Sequence, residues 1–528
     1  MLWQIWLPVA VAAAFLAVDR LRKRYRPRYD LPVVGSPADR SMAQAVAEGH
    51  QKYPDSAFVV PCDPPRVILP MKLYNEVIHA PESELSFAAE LYDSFLGKYT
   101  HIGESRTEIV ESVRVDLTRN LSGILRPVQE EARLAMKQMT AGGDPAAGTG
   151  WRALNAYHLT LRLVALMSGR VFVGLPLSRD EGWIRASITF ATDVAKCRMA
   201  ALNWNAWARP WVLPFLPEVR HMRRALHKAN EWMRPLVDEV LLRGEGALVG
   251  EKPVQPGAPG AFVSWMMKYL SVRDRNSETM GTNQMLLSFA AIHTTSTTTT
   301  FALYDLLSRP EYIQPLREEI EQVMAEDGTE NDEEGRPFLS KVSFSKLKKL
   351  DSFIKESQRT SPMNFGGTGR RLQKDQTFSD GLKLPAGTAI SFPLWGVYNS
   401  PSTTTFSPEY NAGTGNAPPA EFDGFRFARL REQPGREMRH QAATTGPEAF
   451  NFGHGPHACP GRFFAVYVIK CILIELLVNY DIRLKGSGSG SGGDDGEGSV
   501  PSRPPNTVKQ MIALPDFGRE VEVRRRTE

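Results

Sequence analysis

The sequence predicts a mainly α chain with a small β region, preceded by one N-terminal transmembrane helix. Three observations carry that expectation. Apolar residues recur at three- and four-residue spacing through most of the 528 residues, the signature of helices with one buried face. Runs of β-branched residues are few and short. Leu2 to Val18 is apolar except for Gln4, and a basic cluster follows directly.

The N-terminal stretch, LWQIWLPVAVAAAFLAV, would span about 26 Å as a helix, which suits a thin endoplasmic reticulum bilayer. A cleaved signal peptide carries its positive charge before the apolar run. Here Arg20, Arg22, Lys23, Arg24, Arg26 and Arg28 all come after it. Residues 1–18 are therefore expected to be an uncleaved anchor, and the positive-inside rule leaves the rest of the chain in the cytosol. Pro27, Pro32 and Pro37 make 19–37 a stiff, basic linker that helix cannot cross.

From about 38 to 480 no linker or internal repeat interrupts the chain. Helical spacing is clear around Leu117 to Leu125, in WRALNAYHLTLRLVALMSGRVF from Trp151, and in YIQPLREEIEQVMAE from Tyr312. Strand-like runs are AFVVP at Ala57, RVILP at Arg66 and LKLPAGTAISFP at Leu382. The Trp- and Pro-rich stretch 202–218 suits a core and a membrane surface equally. Residues 245–261 and 486–499 have the composition of flexible surface loops. Asn120 heads a glycosylation sequon, which a cytosolic domain leaves unused.

Composition excludes several classes. With 42% hydrophobic and 23% charged residues the chain is globular, neither disordered nor polytopic. A net charge of +4, without a basic block interleaved with aromatics, gives no case for nucleic acid. Four cysteines make no disulfide framework in so long a chain and fit a reducing compartment.

The chemical centre is FNFGHGPHACPGRFFAVYVIKCILIELL, from Phe450. Gly453, Gly455 and Pro456 preclude regular structure up to Cys459, and Pro460 suits a first helical position. Cys459 is thus expected at the N-cap of an amphipathic helix, facing unpaired N–H groups and the positive dipole end. Both favour thiolate over thiol. Gly461 leaves room for a flat, bulky group to approach the backbone. Cys471, on the same helix, needs none of this and is expected to be a buried structural cysteine.

Phe452, Gly455, Cys459 and Gly461 stand as Phe-x-x-Gly-x-x-x-Cys-x-Gly. This string resembles the haem-ligand signature of the cytochrome P450 family. Two further motifs follow the family's order. KESQR supplies Glu356 and Arg359, a Glu-x-x-Arg on one helix face, and EFDGFRF supplies Arg426. Glu-x-x-Arg alone is uninformative, since i,i+3 surface pairs are common; its order and spacing here make it specific. The resemblance covers essentially the whole chain. It implies one cytochrome P450 catalytic domain at 38–528, where length alone suggests roughly two to four domains.

The resemblance implies haem b (iron protoporphyrin IX), with Cys459 as the axial thiolate that favours O–O cleavage. It implies an ion-pair triad of Glu356, Arg359 and Arg426. His457 stands where the family often has Arg to hold a haem propionate, and its charge varies with pH. Arg370 or Arg371 is expected to be a second propionate contact. The family's Trp-x-x-x-Arg is missing from VESVRVDLTRNL, leaving Arg114 or Arg119 as substitutes.

The family's distal helix usually reads Ala/Gly-Gly-x-Asp/Glu-Thr. Here Ala290, Ala291, Ile292, His293 and Thr294 stand in that frame. Small residues at 290 and 291 leave a groove for dioxygen. A Thr294 hydroxyl can bond the carbonyl of Ala290 and bend the helix, and the resemblance implies that it helps deliver the proton for O–O scission. His293 replaces a carboxylate; a proton relay and a satisfied core histidine are equally compatible with the sequence. Thr297 and Thr298 share the face of Thr294, while Thr295, Ser296, Thr299 and Thr300 point elsewhere.

The resemblance thus implies a membrane-anchored monooxygenase of the endoplasmic reticulum, inserting one atom of O₂ into an apolar small molecule. Its electrons come from NADPH through a separate cytochrome P450 reductase, since no Gly-rich nucleotide loop is present. The basic segment RFARLREQPGREMRH can dock an acidic reductase surface. AAIHTTS, KESQR and FDGFRF resemble fungal members that oxidise terpenoids in gibberellin and indole-diterpene pathways. A polyketide or other lipid-like substrate is the alternative, and an isomerase or dehydratase needing no O₂ is a further one that Thr294 disfavours.

Overall fold

A computed structural model describes residues 29–526 except 63, 142–149, 205–207, 245–257, 259, 329–330 and 487–501. The expected anchor, the first part of the linker, and all of the Gly/Ser loop but Gly486 lie outside these residues. Among the described residues no helix is long and apolar enough to cross a membrane. The end of the linker is not a free spacer. Pro32 accepts from the Val59 N–H at 2.8 Å and Val34 donates to the Val59 carbonyl at 2.9 Å, so this segment lies along a sheet.

Helices dominate, as the apolar spacing predicts. Those that position the site are α1 (Phe87–Phe95), α2 (Leu121–Thr140), α3 (Ala156–Phe172), α4 (Glu181–Leu202), α5 (Pro217–Leu242), α6 (Ser277–Leu307), α7 (Ile313–Asp327), α8 (Lys348–Thr360) and α10 (Arg462–Asn479), with a short α9 (Arg426–Arg431) before the last. Side chains that favour N-caps start several of them. Ser86, Asn155, Asp180 and Asn276 accept from the N–H three residues on, at α1, α3, α4 and α6. Helix α6 is the axis of the molecule, packing on α3, α4, α5, α8 and α10.

Trp151 does not start a helix. Arg152–Asn155 is strand β4, paired antiparallel with a C-terminal strand, and α3 begins only at Ala156. Pairing with a segment more than 350 residues away overrides the helical spacing there, a tertiary effect that local sequence does not carry. The amphipathic expectation for α10 also fails. From Val468 to Leu477 every residue is buried, including Lys470 and Glu475. A helix apolar almost all round belongs in a core.

The largest sheet runs β1 (Phe58–Val60), β2 (Arg66–Ile68), β8 (Ala389–Phe392), β5 (Gly367–Leu372), β3 (Leu85–Ser86), with β2 and β8 parallel. A second joins β4, β12 (Glu520–Arg525) and β9 (Tyr480–Leu484). Two hairpins complete the set, β6 (Gln376–Thr377) with β7 (Lys383–Leu384) and β10 (Thr507–Lys509) with β11 (Ile512–Leu514). The three strand-like runs form four of the strands, β1, β2, β7 and β8, and the other strands had no such signal.

A charge cluster ties α8 and α10 to the segment before the cysteine loop. Asp351 accepts from Lys470 at 2.7 Å, Arg431 at 3.2 Å and the Ala442 N–H at 2.9 Å. Burial opposes ionisation of Asp351, but Lys470 and Arg431 outweigh it and hold its carboxyl below the ordinary range. A buried charge so completely paired fixes a chain path. Here it fixes the approach to Cys459.

Candidate active site

The cysteine loop is a closed hairpin. The Cys459 N–H donates to the Phe452 carbonyl at 2.7 Å, and Gly453 donates to Phe450 at 2.9 Å. Gly453 (φ 65°) and Gly455 (φ 70°) take left-handed backbone, which glycine adopts without cost. That explains the spacing from Phe452 through Gly455 to Cys459.

Helix α10 starts at Arg462 with Gly461 as its N-cap, so Cys459 is not the N-cap residue. Pro460 and Gly461 form a turn instead. The Gly461 and Arg462 N–H groups still bond the sulfur, and the Arg462 charge lies close. Burial nonetheless outweighs them and pushes the Cys459 thiol above its ordinary value. The helix terminus alone therefore does not produce a thiolate; a bound cation is needed for that. Cys471 differs: it is fully enclosed, and burial raises it much further.

Glu356, Arg359 and Arg426 meet as one buried unit. Arg359 grips Glu356 in a two-pronged pair at 2.8 and 2.7 Å, and Arg426 Nε reaches both carboxylate oxygens at 3.2 and 3.3 Å. The Asp423 N–H adds a bond at 2.8 Å. The remaining guanidinium donors go to carbonyls of Tyr398, Ala417, Pro418, Pro419 and Glu421.

Helix α6 is buried at both flanks, yet Ala290 and Thr294 are exposed, with Ala291 and Thr298 half-buried. Residues four apart share a helix face, so this opening is a groove on one side of an enclosed helix. The Thr294 hydroxyl donates to the Ala290 carbonyl at 2.6 Å. Its oxygen is left able to accept from a group in the groove. Thr297 does not share this face: it is buried, beside Tyr157. The other hydroxyls bond backward, Ser296 to Ile292, Thr298 to Thr294, Thr299 to Thr295 and Thr300 to Ser296, all within 3.0 Å.

His293 points away from the groove. Its Nδ1 lies 2.9 Å from the Tyr157 hydroxyl and its Nε2 2.7 Å from the Ile188 carbonyl. A carbonyl only accepts, so Nε2 carries the hydrogen and Nδ1 accepts from Tyr157. Burial holds the ring below its ordinary pKa. It is a neutral, fully bonded histidine.

Strand alternation separates the two candidate arginines of β5. Arg371 is held by Glu90 at 2.9 Å, by Asp93 at 3.1 Å and by the Gly387 carbonyl at 3.1 Å. Arg370 is 2% exposed, and its Nε and Nη2 have no partner. Burial lowers its pKa, countered by Glu82 and Tyr74. His457 lies 3.1 Å from Glu82, and burial and Arg370 together lower its pKa. Glu82, with Ser86 and the Phe87 N–H bonded to it, is a neighbour with no sequence signal. Arg114 and Arg119 are exposed, and Arg114 pairs with Glu111.

Much of the charge of the basic segment from Arg426 is engaged within the fold. Arg426 and Arg431 are buried in the clusters above, Arg429 pairs with Asp423, and Arg436 lies over Tyr410 at 3.6 Å. Arg439, the fifth arginine of the segment, is exposed, so of the five it is the one left facing solvent for a docking surface.

The comparisons agree with this geometry. A family model described as Cytochrome P450 matches residues 271–506. Cytochrome P450 monooxygenase ascG of Acremonium egyptiacum is 41% identical over 98% of this chain and 96% of its own length. The chain belongs to the cytochrome P450 family. Cytochrome P450 monooxygenase 3 of Gibberella fujikuroi is 42% identical over 87% of this chain and 86% of its own length. For BOA7 of Botryotinia fuckeliana, also a cytochrome P450 monooxygenase, the identity is 37% over 94% and 90%.

As a P450 monooxygenase the enzyme uses haem b with a thiolate ligand. The chain's own residues fit that group. Arg370 Nε and Nη2 and Arg462 Nε are buried donors without a partner, which an anionic propionate would satisfy. A methyl built at Gly461 would meet only Val113, at 3.6 Å, so space beside the loop is open to a flat group. The groove at Ala290 and Thr294 completes the set.

Arg370→Met is accordingly expected to release haem to a scavenger globin about tenfold faster or more, the equivalent of one charge-assisted bond. Arg371→Met should leave that rate unchanged. Equal rates for both variants would remove Arg370 from the propionate site.

Proposed function

We propose that this P450 is a membrane-anchored haem-thiolate monooxygenase, placing one oxygen atom of O₂ on an apolar, terpenoid-type intermediate of fungal secondary metabolism. NADPH supplies the electrons through NADPH–cytochrome P450 reductase, at the cytosolic face of the endoplasmic reticulum. When bound, the haem supplies oxygen activation. Cys459 would hold it through its sulfur, Arg370 and His457 would bind its propionates, and the Glu356 triad holds the loop's surroundings.

The observation that carries the reading is the open groove at Ala290 and Thr294 within an otherwise buried α6. The Thr294 hydroxyl stands there with its own proton on the Ala290 carbonyl, ready to exchange donor and acceptor roles with a group in the groove. Such a hydroxyl has no use in an isomerisation that consumes no proton and no O₂. The terpenoid class rests on the likeness of AAIHTTS, KESQR and FDGFRF and on the apolar surroundings of the groove, where Phe289 meets Phe95 and Phe190 edge-on.

Membrane contact is supported by the stretch from 199 to 215. Met199, Leu202, Trp204, Trp211 and Phe215 are all exposed, Trp211 and Phe215 by 76% and 75%. Tryptophan and phenylalanine grouped in this way suit a bilayer interface.

Thr294→Ala is expected to keep the haem spectrum and the rate of NADPH consumption while diverting most reducing equivalents into hydrogen peroxide. Peroxide and product measured together check this, and fully coupled product formation in the variant would contradict the role.

A further inference from the structure

His293 occupies the position at which the family's distal helix carries a carboxylate, and its contacts give it a different task. Three helices converge on the ring. Tyr157 comes from the first turn of α3, His293 from the middle of α6, and Ile188 from α4. The Tyr157 hydroxyl donates to Nδ1 at 2.9 Å, and Nε2–H donates to the Ile188 carbonyl at 2.7 Å. Tyr157 is itself held, its ring edge-on to Phe517 at 4.6 Å and its hydroxyl beside Thr297.

Two residues beyond Ile188 on α4 is Phe190, fully buried, with its ring 6.4 Å from that of Phe289 on α6. Phe289 directly precedes the groove residue Ala290. The His293 bridge therefore sits at the place where α4 meets the oxygen groove. Both nitrogens are committed and the ring is neutral, so a proton could pass through it only by breaking the links to α3 or α4. An aspartate or glutamate in its place could accept from Tyr157. It could not also donate to a carbonyl while ionised. Histidine is suited to this bridge because it accepts on one side and donates on the other.

We propose that His293 is a positioning residue, a pin joining α3, α6 and α4, which sets the height of α4 above the groove and hence the size of substrate admitted over Thr294. The proposal rests on the monooxygenase reading and deepens it by naming what sets the pocket's dimension.

The test uses the purified holoenzyme, with wild type, His293→Ala, His293→Gln and Tyr157→Phe compared. Hydrogen exchange of the peptide covering 181–202 reads the pin without any catalysis. Binding of imidazole against 4-phenylimidazole, followed by the Soret shift, reads the room under α4. The pin predicts faster exchange in α4 for His293→Ala and Tyr157→Phe. It also predicts a change of about fivefold in the affinity ratio of the two probes, the equivalent of one neutral hydrogen bond. His293→Gln, whose amide can donate to Ile188 but does not titrate, should restore both towards wild type.

Unchanged exchange and an unchanged ratio in His293→Ala would overturn the proposal. So would peroxide release in His293→Gln equal to that of His293→Ala while exchange in α4 stays at the wild-type level, since a relay and not a pin would then be lost. Should His293→Ala not fold, Tyr157→Phe, which removes one oxygen atom, decides alone. Loss of the haem spectrum in wild type would defeat the monooxygenase reading and leave the exchange result intact.

Discussion

Glu356→Ala is expected to yield a protein that does not accumulate as a folded, haem-loaded enzyme. The carboxylate is fully buried and is the shared partner of Arg359 and Arg426, which are 2% and 1% exposed. Removing it leaves two guanidinium charges enclosed without an anion. Breaking a buried pair in this way costs about 3–5 kcal/mol, against a net stability of about 5–15 kcal/mol for a typical domain. Here two pairs break at once. The Asp423 N–H loses its acceptor as well, and with it the turn that leads into α9. Soluble yield, the urea midpoint and the haem-to-protein ratio check the result. Glu356→Gln, which keeps an acceptor of the same shape, should fall between. A Glu356→Ala enzyme with wild-type yield and midpoint would show that the triad is dispensable.

Cys459→Ser is expected to abolish NADPH-dependent turnover while preserving the fold. The hairpin is closed by backbone groups, the Cys459 N–H on the Phe452 carbonyl and Ala458 N–H on Gly455, which serine keeps. Its hydroxyl is a little smaller than the thiol and makes no demand on the packing. A serine oxygen does not deprotonate in this buried setting, whereas a thiol does so once a metal is bound. The far-ultraviolet spectrum and melting curve should match wild type closely. Cys471→Ser on the same helix, by contrast, should leave turnover in place. Oxygenation retained by Cys459→Ser would remove the cysteine from the chemistry.

The residues of the candidate site are legible in the sequence because their spacing is local. Phe452 to Gly461 is one hairpin, Glu356 and Arg359 share one helical turn, and Ala290 and Thr294 are four residues apart on one face. What was not legible depends on partners far along the chain. His293 finds Tyr157 136 residues away and Ile188 105 residues away, and nothing around His293 announces either. The same distance hides β4, whose partner β12 ends the chain, and Glu82, which joins the site only through the fold. The choice between Arg370 and Arg371 needed only the direction of β5, since adjacent strand residues face opposite ways. Cys459 failed differently. Cys459 lies two residues before the N-cap Gly461, and burial, which no motif records, outweighs the helix terminus there.

The most direct test of the account is the spectrum of the reduced holoenzyme under carbon monoxide. An anionic sulfur from Cys459 on the haem iron predicts a strongly red-shifted Soret band that is lost in Cys459→Ser and kept in Cys471→Ser. An unshifted band in the folded wild-type enzyme, of the kind a neutral nitrogen ligand gives, would contradict it.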